Sequence, residues 1–372
     1  MEIYVATFAL LLLLCVVESY ASQPMVRTAC LVIGVIALTL FAGLRWETGN
    51  DWRPYWQYYS EIRSLDTFSH EYDPAFRALA FGAHSLGMTY TGFLLVSSAI
   101  YLSLFAWVFT RYRHPCVLLL LFFSIYLLGF MGTQRQTLAL GFTSVAIIQC
   151  YSRRWLAAGS CLVAAVLFHI TAIVSLLALA VPRVKIKFGL LIAAMLLGFL
   201  ALRLDLVGTL VETALNQLFG DGYLARRLLA YSAGSAWENT IAGFNPLTEL
   251  LWFAKRGTLV VVFWLLCSTP SRSLNNYLVN LYALSVVLFL FFIKSVPLIA
   301  LRAGLYFSVF EVVLLYLCLT KLRPYLTREI FLIGASTLAA ARLYAGVVLY
   351  EPDLYLPYKA VWVEVDHTRV NH

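Results

Sequence analysis

Charge is scarce in this sequence: only 12% of its 372 residues are Asp, Glu, Lys or Arg. The longest polar-leaning stretches, residues 45–89 and 204–245, are too short to fold as an independent nucleotide-binding domain. Catalytic signatures are lacking as well, with no P-loop, no Gly-x-Gly-x-x-Gly, no His-Glu-x-x-His and no Gly-x-Ser-x-Gly. Their absence argues against ATP hydrolysis, dinucleotide chemistry, zinc proteolysis and triad hydrolysis. Asp-x-Asp is missing too, so nothing suggests a metal-held nucleotide sugar, and the residues call for no cofactor and no metal. Cys15, Cys30, Cys116, Cys150, Cys161, Cys267 and Cys318 all fall in or at the ends of apolar runs without paired spacing. Neither a disulfide framework nor a zinc site is indicated.

What the sequence has instead is apolar length. It is 62% hydrophobic with a mean hydropathy of +0.82, and its apolar runs repeat at about 17 to 25 residues, the length of a helix that crosses a bilayer. The expected fold is all-α, a single polytopic membrane domain over residues 1–372 with about ten transmembrane helices, so any substrate is met at or within the membrane. The predicted helices lie near 3–18, 28–44, 90–110, 115–132, 134–151, 186–203, 246–268, 275–294, 299–320 and 329–350. Residues 3–17 followed by Ser19-Tyr20-Ala21 imitate a signal peptide, but Glu2 stands where a basic n-region belongs, so the first helix is read as retained.

The net charge of +8 comes from 27 Lys and Arg against 19 Asp and Glu. Most of the excess lies in short loops, which is the positive-inside pattern and not a nucleic-acid footprint. Residues 155–181 decide the topology. One span there would put Arg153 and Arg154 opposite Arg183, Lys185 and Lys187, whereas a re-entrant helical hairpin turning near Phe168-His169-Ile170-Thr171 keeps both clusters on one side. With the hairpin, Arg111, Arg113, Arg272, Lys321, Arg323 and Arg328 join them as cytoplasmic, and the loops 45–89 and 204–245 and both termini are external. A re-entrant segment must line a cavity, because only protein or water satisfies its backbone at membrane depth.

Candidate chemistry concentrates where the second helix ends, in Gly43-Leu44-Arg45-Trp46-Glu47-Thr48-Gly49-Asn50-Asp51-Trp52-Arg53-Pro54-Tyr55. Charges beside a bilayer are costly unless they pair or meet a ligand, while tyrosine and tryptophan suit the interface. In the expected topology Arg45, Arg135 and Arg302 share the outer face and outline an anion site. An interfacial arginine also snorkels, so no single one carries the argument. Arg135 and Gln136 open a helix, where free N–H groups and the dipole already favour an anion, and guanidinium adds bidentate phosphate recognition. Asp51, Glu47 and His169 are the candidate bases, and Trp46, Trp52, Tyr55 and Tyr58 offer aromatic faces to sugar rings. His169 in an apolar segment is as readily a hydrogen-bonded structural residue. Glu311 and Arg342 lie inside predicted spans. Glu311 is about 13 Å along the helix from Arg302 at ~1.5 Å per residue, so it needs another partner.

The ordered set Gly43-Leu44-Arg45, Gly49-x-Asp51-Trp52-x-x-Tyr55, Arg135-Gln136-x-Leu138-Ala139, Phe168-His169-x-Thr171-Ala172, Arg302-x-x-x-Tyr306-Phe307 and Tyr355-Leu356-Pro357-Tyr358-Lys359 resembles the EpsG-type branch of the Wzy-like polysaccharide polymerases. The resemblance covers nearly the whole chain and departs from the usual pattern in having Trp52 where tyrosine is expected; around Asp221-Gly222-Tyr223 it is loose. It implies a membrane glycosyltransferase that lengthens O-antigen, capsule or exopolysaccharide by moving a growing glycan from undecaprenyl diphosphate to a lipid-linked repeat unit. By position it implies that Arg45, Arg135 and Arg302 hold the diphosphate, with Gln136, Trp52, Tyr55 and Tyr306 also at the substrate. The implied location is the plasma (inner) membrane with an external or periplasmic active face. The implied partners are the undecaprenyl-diphosphate-linked oligosaccharide, the lipid bilayer, a chain-length regulator and a flippase, with no nucleic acid. A transporter (flippase) of lipid-linked oligosaccharide would use the same arginines and is the alternative. Paired broken helices in two symmetric halves would favour it. A histidine-dependent acyltransferase and a structural partner in an export complex are weaker alternatives.

Overall fold

The apolar runs become helices in the computed structural model, which describes residues 1–67, 71–204, 246–293, 297–322, 327–350 and 352–362. Eight helices among the described residues are long and apolar enough to cross a membrane, against about ten expected from hydropathy. The two that fall short have simple reasons. Gln134–Tyr151 begins on the polar run Gln134-Arg135-Gln136, and Phe188–Leu204 has only 17 residues. The helix starts follow local chemistry. Proline at the first turn opens Pro24–Gly43, Pro74–Ser85 and Pro115–Gly132. Hydroxyl caps open three more, where the side chains of Thr89, Ser273 and Thr327 accept from the N–H groups of Gly92, Asn276 and Ile330.

The described residues group into two compact units, Met1–Ile173 with Leu322–His372, and Val174–Lys321. In the first, α1 (Glu2–Tyr20) packs on α2 (Pro24–Gly43), and both pack on α6 (Pro115–Gly132), which carries a π-helical turn at Phe123–Leu127. α5 (Tyr90–Phe109) lies between α2 and α7 (Gln134–Tyr151), and α7 packs against α8 (Trp155–Phe168). The stretch 45–89 is itself structured, with α3 (Trp52–Glu61) and α4 (Pro74–Ser85) joined by stacked aromatic rings. The other long loop of the sequence reading, from residue 205 to 245, lies outside the described residues.

Two helices break within apolar sequence. α8 ends at Phe168, His169 is extended, and the chain continues as a 3-10 helix over Ile170–Leu179. In the second unit the predicted span 299–320 is matched by one apolar span, Ala300–Leu322, with a turn at Val309-Phe310 between α12 (Pro297–Ser308) and α13 (Glu311–Leu322). No glycine or proline marks that turn. It stands directly before Glu311, whose carboxylate accepts a hydrogen bond from Arg256, and the N–H groups of Val309 and Leu314 still bond to the carbonyls of Leu305 and Phe310 across it. The rest of this unit is α9 (Phe188–Leu204) and α10 (Pro246–Cys267), each packed on α11 (Leu274–Phe292), with α11 also against α12.

The chain ends on the first unit. α14 (Arg328–Tyr344) runs into a π-helical segment over Ala345–Tyr350 and a short α15 (Pro352–Tyr355). A two-residue strand β2 (Lys359–Ala360) then pairs antiparallel with β1 (Arg45–Trp46). The motif Tyr355-Leu356-Pro357-Tyr358-Lys359 is therefore a docking segment. Tyr4 donates to the Tyr355 carbonyl at 2.7 Å and Tyr358 to the Phe41 carbonyl at 2.6 Å, with the Tyr358 ring stacked on Phe41 at 5.2 Å. These bonds tie α1 to the segment 355–360 and that segment to the end of α2, where the charged segment begins.

Candidate active site

The segment after α2 is held by backbone geometry. Gly49 adopts a φ of +97°, and a Cβ at Gly132 would stand 2.7 Å from the Asn50 nitrogen. The loop thus touches the end of α6 immediately before α7 begins, at a distance only glycine allows. Gly132→Ala is expected to destabilise the protein by about 1 to 3 kcal/mol, because the clash is with backbone that cannot swing aside. Thermal unfolding in detergent checks it, and an unchanged midpoint would refute the close approach.

Arg45 is the buried lock of this junction. Its side chain is 1% exposed. Nε donates to the Thr48 carbonyl at 3.2 Å, and the two terminal nitrogens donate to the carbonyls of Ala42 and Met131. Ala42 and Met131 lie in the last turns of α2 and α6, where carbonyls lack helical partners and the dipole is negative. A guanidinium is the side chain with enough donors to satisfy all three. Glu47, at a φ of 41°, pairs with Lys359 at 3.2 Å, so the strand pairing also fixes this carboxylate.

Arg135 occupies the first turn of α7 and is only partly buried. Nη1 donates to Asp73 Oδ2 at 3.0 Å and to the Glu71 carbonyl at 3.0 Å, while Nε donates to the Tyr55 hydroxyl at 3.3 Å. The guanidinium carbon lies 4.9 Å from the centre of the Tyr72 ring. Tyr72 stacks on Tyr58 at 4.0 Å, and Phe76 lies against Tyr55, Tyr58 and Tyr72. The result is a cation at a helix N-terminus inside an aromatic cage, steadied by one carboxylate. Burial pushes the hydroxyls of Tyr58 and Tyr72 up to about 12, against the opposing pull of Arg135. At neutral pH both remain protonated.

The residues singled out from sequence differ in what the structure gives them. Asp51 is half-buried at the start of α3; its carbonyl accepts from the Tyr55 N–H at 3.3 Å, and its side chain makes no capping bond to that helix. Trp52, Tyr55 and Tyr58 are each 4% exposed, with the Trp52 ring 4.7 Å from Trp46 and 5.5 Å from Tyr90. Trp56, stacked over Trp52 at 6.1 Å, is the aromatic of this group that reaches the surface. Gln136 is buried, and its neighbour Gln134 donates to the Tyr90 hydroxyl at 3.3 Å. His169 is buried at the break after α8, where Nδ1 accepts from the Thr171 N–H at 3.3 Å. That contact places the ring proton of a neutral His169 on Nε2. Arg302 and Tyr306 belong to the second unit, on α12, the first half-buried and the second fully buried.

Sequence reasoning missed Asp73, Tyr72 and Arg256. A signal for Asp73 existed, since an aspartate directly before Pro74 marks a helix start, but its pairing with Arg135 joins positions 62 apart and has no local signature. The partner that Glu311 required is Arg256, at 2.8 Å, with Tyr282 donating to the same carboxylate oxygen at 3.2 Å.

Comparison with known proteins agrees with the family resemblance seen in the sequence. No curated protein and no solved structure matches this chain. The EpsG family model matches residues 28–360, a span from the start of α2 through the C-terminal docking strand. The chain is a multi-pass membrane protein that belongs to the EpsG family, with the exopolysaccharide polymerase-type role the family implies.

Proposed function

We propose that this protein lengthens a surface polysaccharide by transferring a growing glycan from undecaprenyl diphosphate to a lipid-linked repeat unit at the external face of the plasma membrane. The observation that carries the reading is the caged guanidinium of Arg135 at the N-terminus of α7. In the transfer, an acceptor hydroxyl oxygen attacks the anomeric carbon of the donor glycan. The bond from that carbon to the diphosphate oxygen breaks, and undecaprenyl diphosphate leaves with the electron pair. Negative charge grows on the leaving group as this happens, so a fixed guanidinium and the helix dipole stabilise the transition state more than the ground state. The proton of the acceptor hydroxyl passes to Asp51, the half-buried carboxylate of the charged segment that follows α2. Asp73 and the Tyr55 hydroxyl position the guanidinium, Arg45 holds the loop to the helix ends, and the exposed ring of Trp56 offers a face to a sugar.

The assignment of sides rests on basic residues. In the first unit the helix ends away from this site carry Arg27, Arg111, Arg113, Arg153, Arg154 and Arg328, as cytoplasmic ends do. Partners of the reading are a flippase that delivers lipid-linked units and a chain-length regulator.

Purified protein supplied with its lipid-linked repeat units decides between this reading and a transporter. The expected result is longer glycans and free undecaprenyl diphosphate with no ATP, nucleotide sugar or other protein present. Folded protein that binds the units without lengthening them would promote the transporter.

A further inference from the structure

In the second unit, Arg256 of α10 reaches Glu311 at the start of α13 and the Tyr282 hydroxyl of α11, at 2.8 and 3.1 Å. Glu311 is 1% exposed and lies near the middle of the Ala300–Leu322 span. A charge pair at that depth is expensive and is kept where it lines a path or a site. Three features beside it fit a site. A cavity of about 90 Å³ opens against Arg256, walled by Trp252, Ser285, Phe289, Gly304 and Ser308. The turn at Val309-Phe310 follows directly on Ser308 and leaves the start of α13 beside the cavity, where Glu311 meets Arg256. Trp252 is stacked on Phe289 at 3.8 Å, which fixes an aromatic wall beside the guanidinium, 5.6 Å away.

We infer that this cavity is a subsite for the hydroxyl-bearing edge of a neutral sugar ring of the glycan substrate. The inference rests on the polymerase reading, whose substrate is a glycan. Charge argues for a neutral ligand, because Arg256 and Glu311 cancel and Arg256 stands midway along α10, without the helix N-terminus that Arg135 has beside it. Chemistry argues for hydroxyls. They both donate and accept, and the wall supplies an arginine that only donates together with the Ser285 hydroxyl, which gives its proton to the Tyr282 carbonyl at 2.6 Å and keeps its lone pairs to accept. Size argues for one edge of a ring, since about 90 Å³ is the share of roughly three waters at ~30 Å³ each.

The test reads occupancy without turnover. Ser308→Cys is placed in a version lacking the seven native cysteines, and its reaction with a small maleimide is timed in detergent. The probes are methyl glycosides of glucose, galactose and N-acetylglucosamine, with inorganic phosphate and pyrophosphate as separate arms. At least one glycoside should slow labelling about tenfold, a difference in occupancy of the size a few hydrogen bonds produce, while phosphate and pyrophosphate should not. Arg256→Gln alone would strand a buried carboxylate and endanger folding. The Arg256→Gln, Glu311→Gln double variant stays neutral and should abolish the protection. Equal labelling with every glycoside, protection by phosphate instead, protection that survives in the double variant, or no labelling at all would overturn the inference. Each of those outcomes leaves the elongation assay unaffected, so the subsite can fail while the polymerase reading stands. Protection without elongation would instead retain the subsite and remove the polymerase.

Discussion

Asp51→Asn is expected to lower the rate of glycan elongation by about 10² to 10⁴-fold, the usual contribution of a general base, while lipid-linked single units still bind. The amide keeps the size and polarity of the carboxylate and removes its basicity. The side chain makes no capping bond to the helix that Asp51 starts, so the substitution removes no cap from α3, and asparagine is as well accepted as aspartate at that position. The competing explanation is that Asp51 merely orders the charged segment, in which case stability and elongation fall together. Single-turnover elongation and a thermal midpoint measured on the same preparation separate the two. A variant with normal elongation would remove Asp51 from the mechanism.

The second large effect belongs to Arg135. Loss of one preorganised group facing a developing charge costs about 10² to 10³ in rate, and Arg135→Ala should lose at least that much. It would also leave Asp73, which is 5% exposed, without its cation. Arg135→Lys is therefore the sharper variant, because it keeps the charge beside Asp73 but replaces a planar fork by a point charge. It should recover the folded protein and little of the activity, since ammonium does not reproduce the bidentate grip on phosphate oxygens or the ring contact with Tyr72. Near-normal polymer from Arg135→Lys would mean that the guanidinium serves the cage and not the diphosphate. The assay is elongation of lipid-linked units at saturating substrate, with binding of the units measured alongside.

The positions of Arg45 and Arg135 show how two residues of one type come to meet different partners. Both are arginines beside a helix end. Arg45 follows the end of α2, where unsatisfied carbonyls surround it and draw its donors inward. Arg135 begins α7, where the backbone offers N–H groups instead, so its guanidinium turns to a carboxylate, a carbonyl and tyrosine faces. The polarity of the helix end decides which groups the guanidinium meets.

By itself the sequence determined the class of the protein: apolar runs of bilayer length admit only helices, because no other open structure satisfies its backbone in lipid. The order of the motifs also marked the family, and the segment from Arg45 to Tyr55 stood out by its charge. Local chemistry marked the starts of α2, α4, α5, α6, α11 and α14, through prolines and hydroxyl caps that act within a few residues. Tertiary structure alone decided the pairings. Arg135 with Asp73, Arg256 with Glu311, Lys359 with Glu47 and Tyr4 with Tyr355 join positions 62, 55, 312 and 351 apart, and nothing local encodes which charge or carbonyl a side chain will meet. The same holds for the place of Glu311, after a turn that no proline or glycine announces, because a carboxylate buried among apolar helices goes where a partner on another helix can hold it.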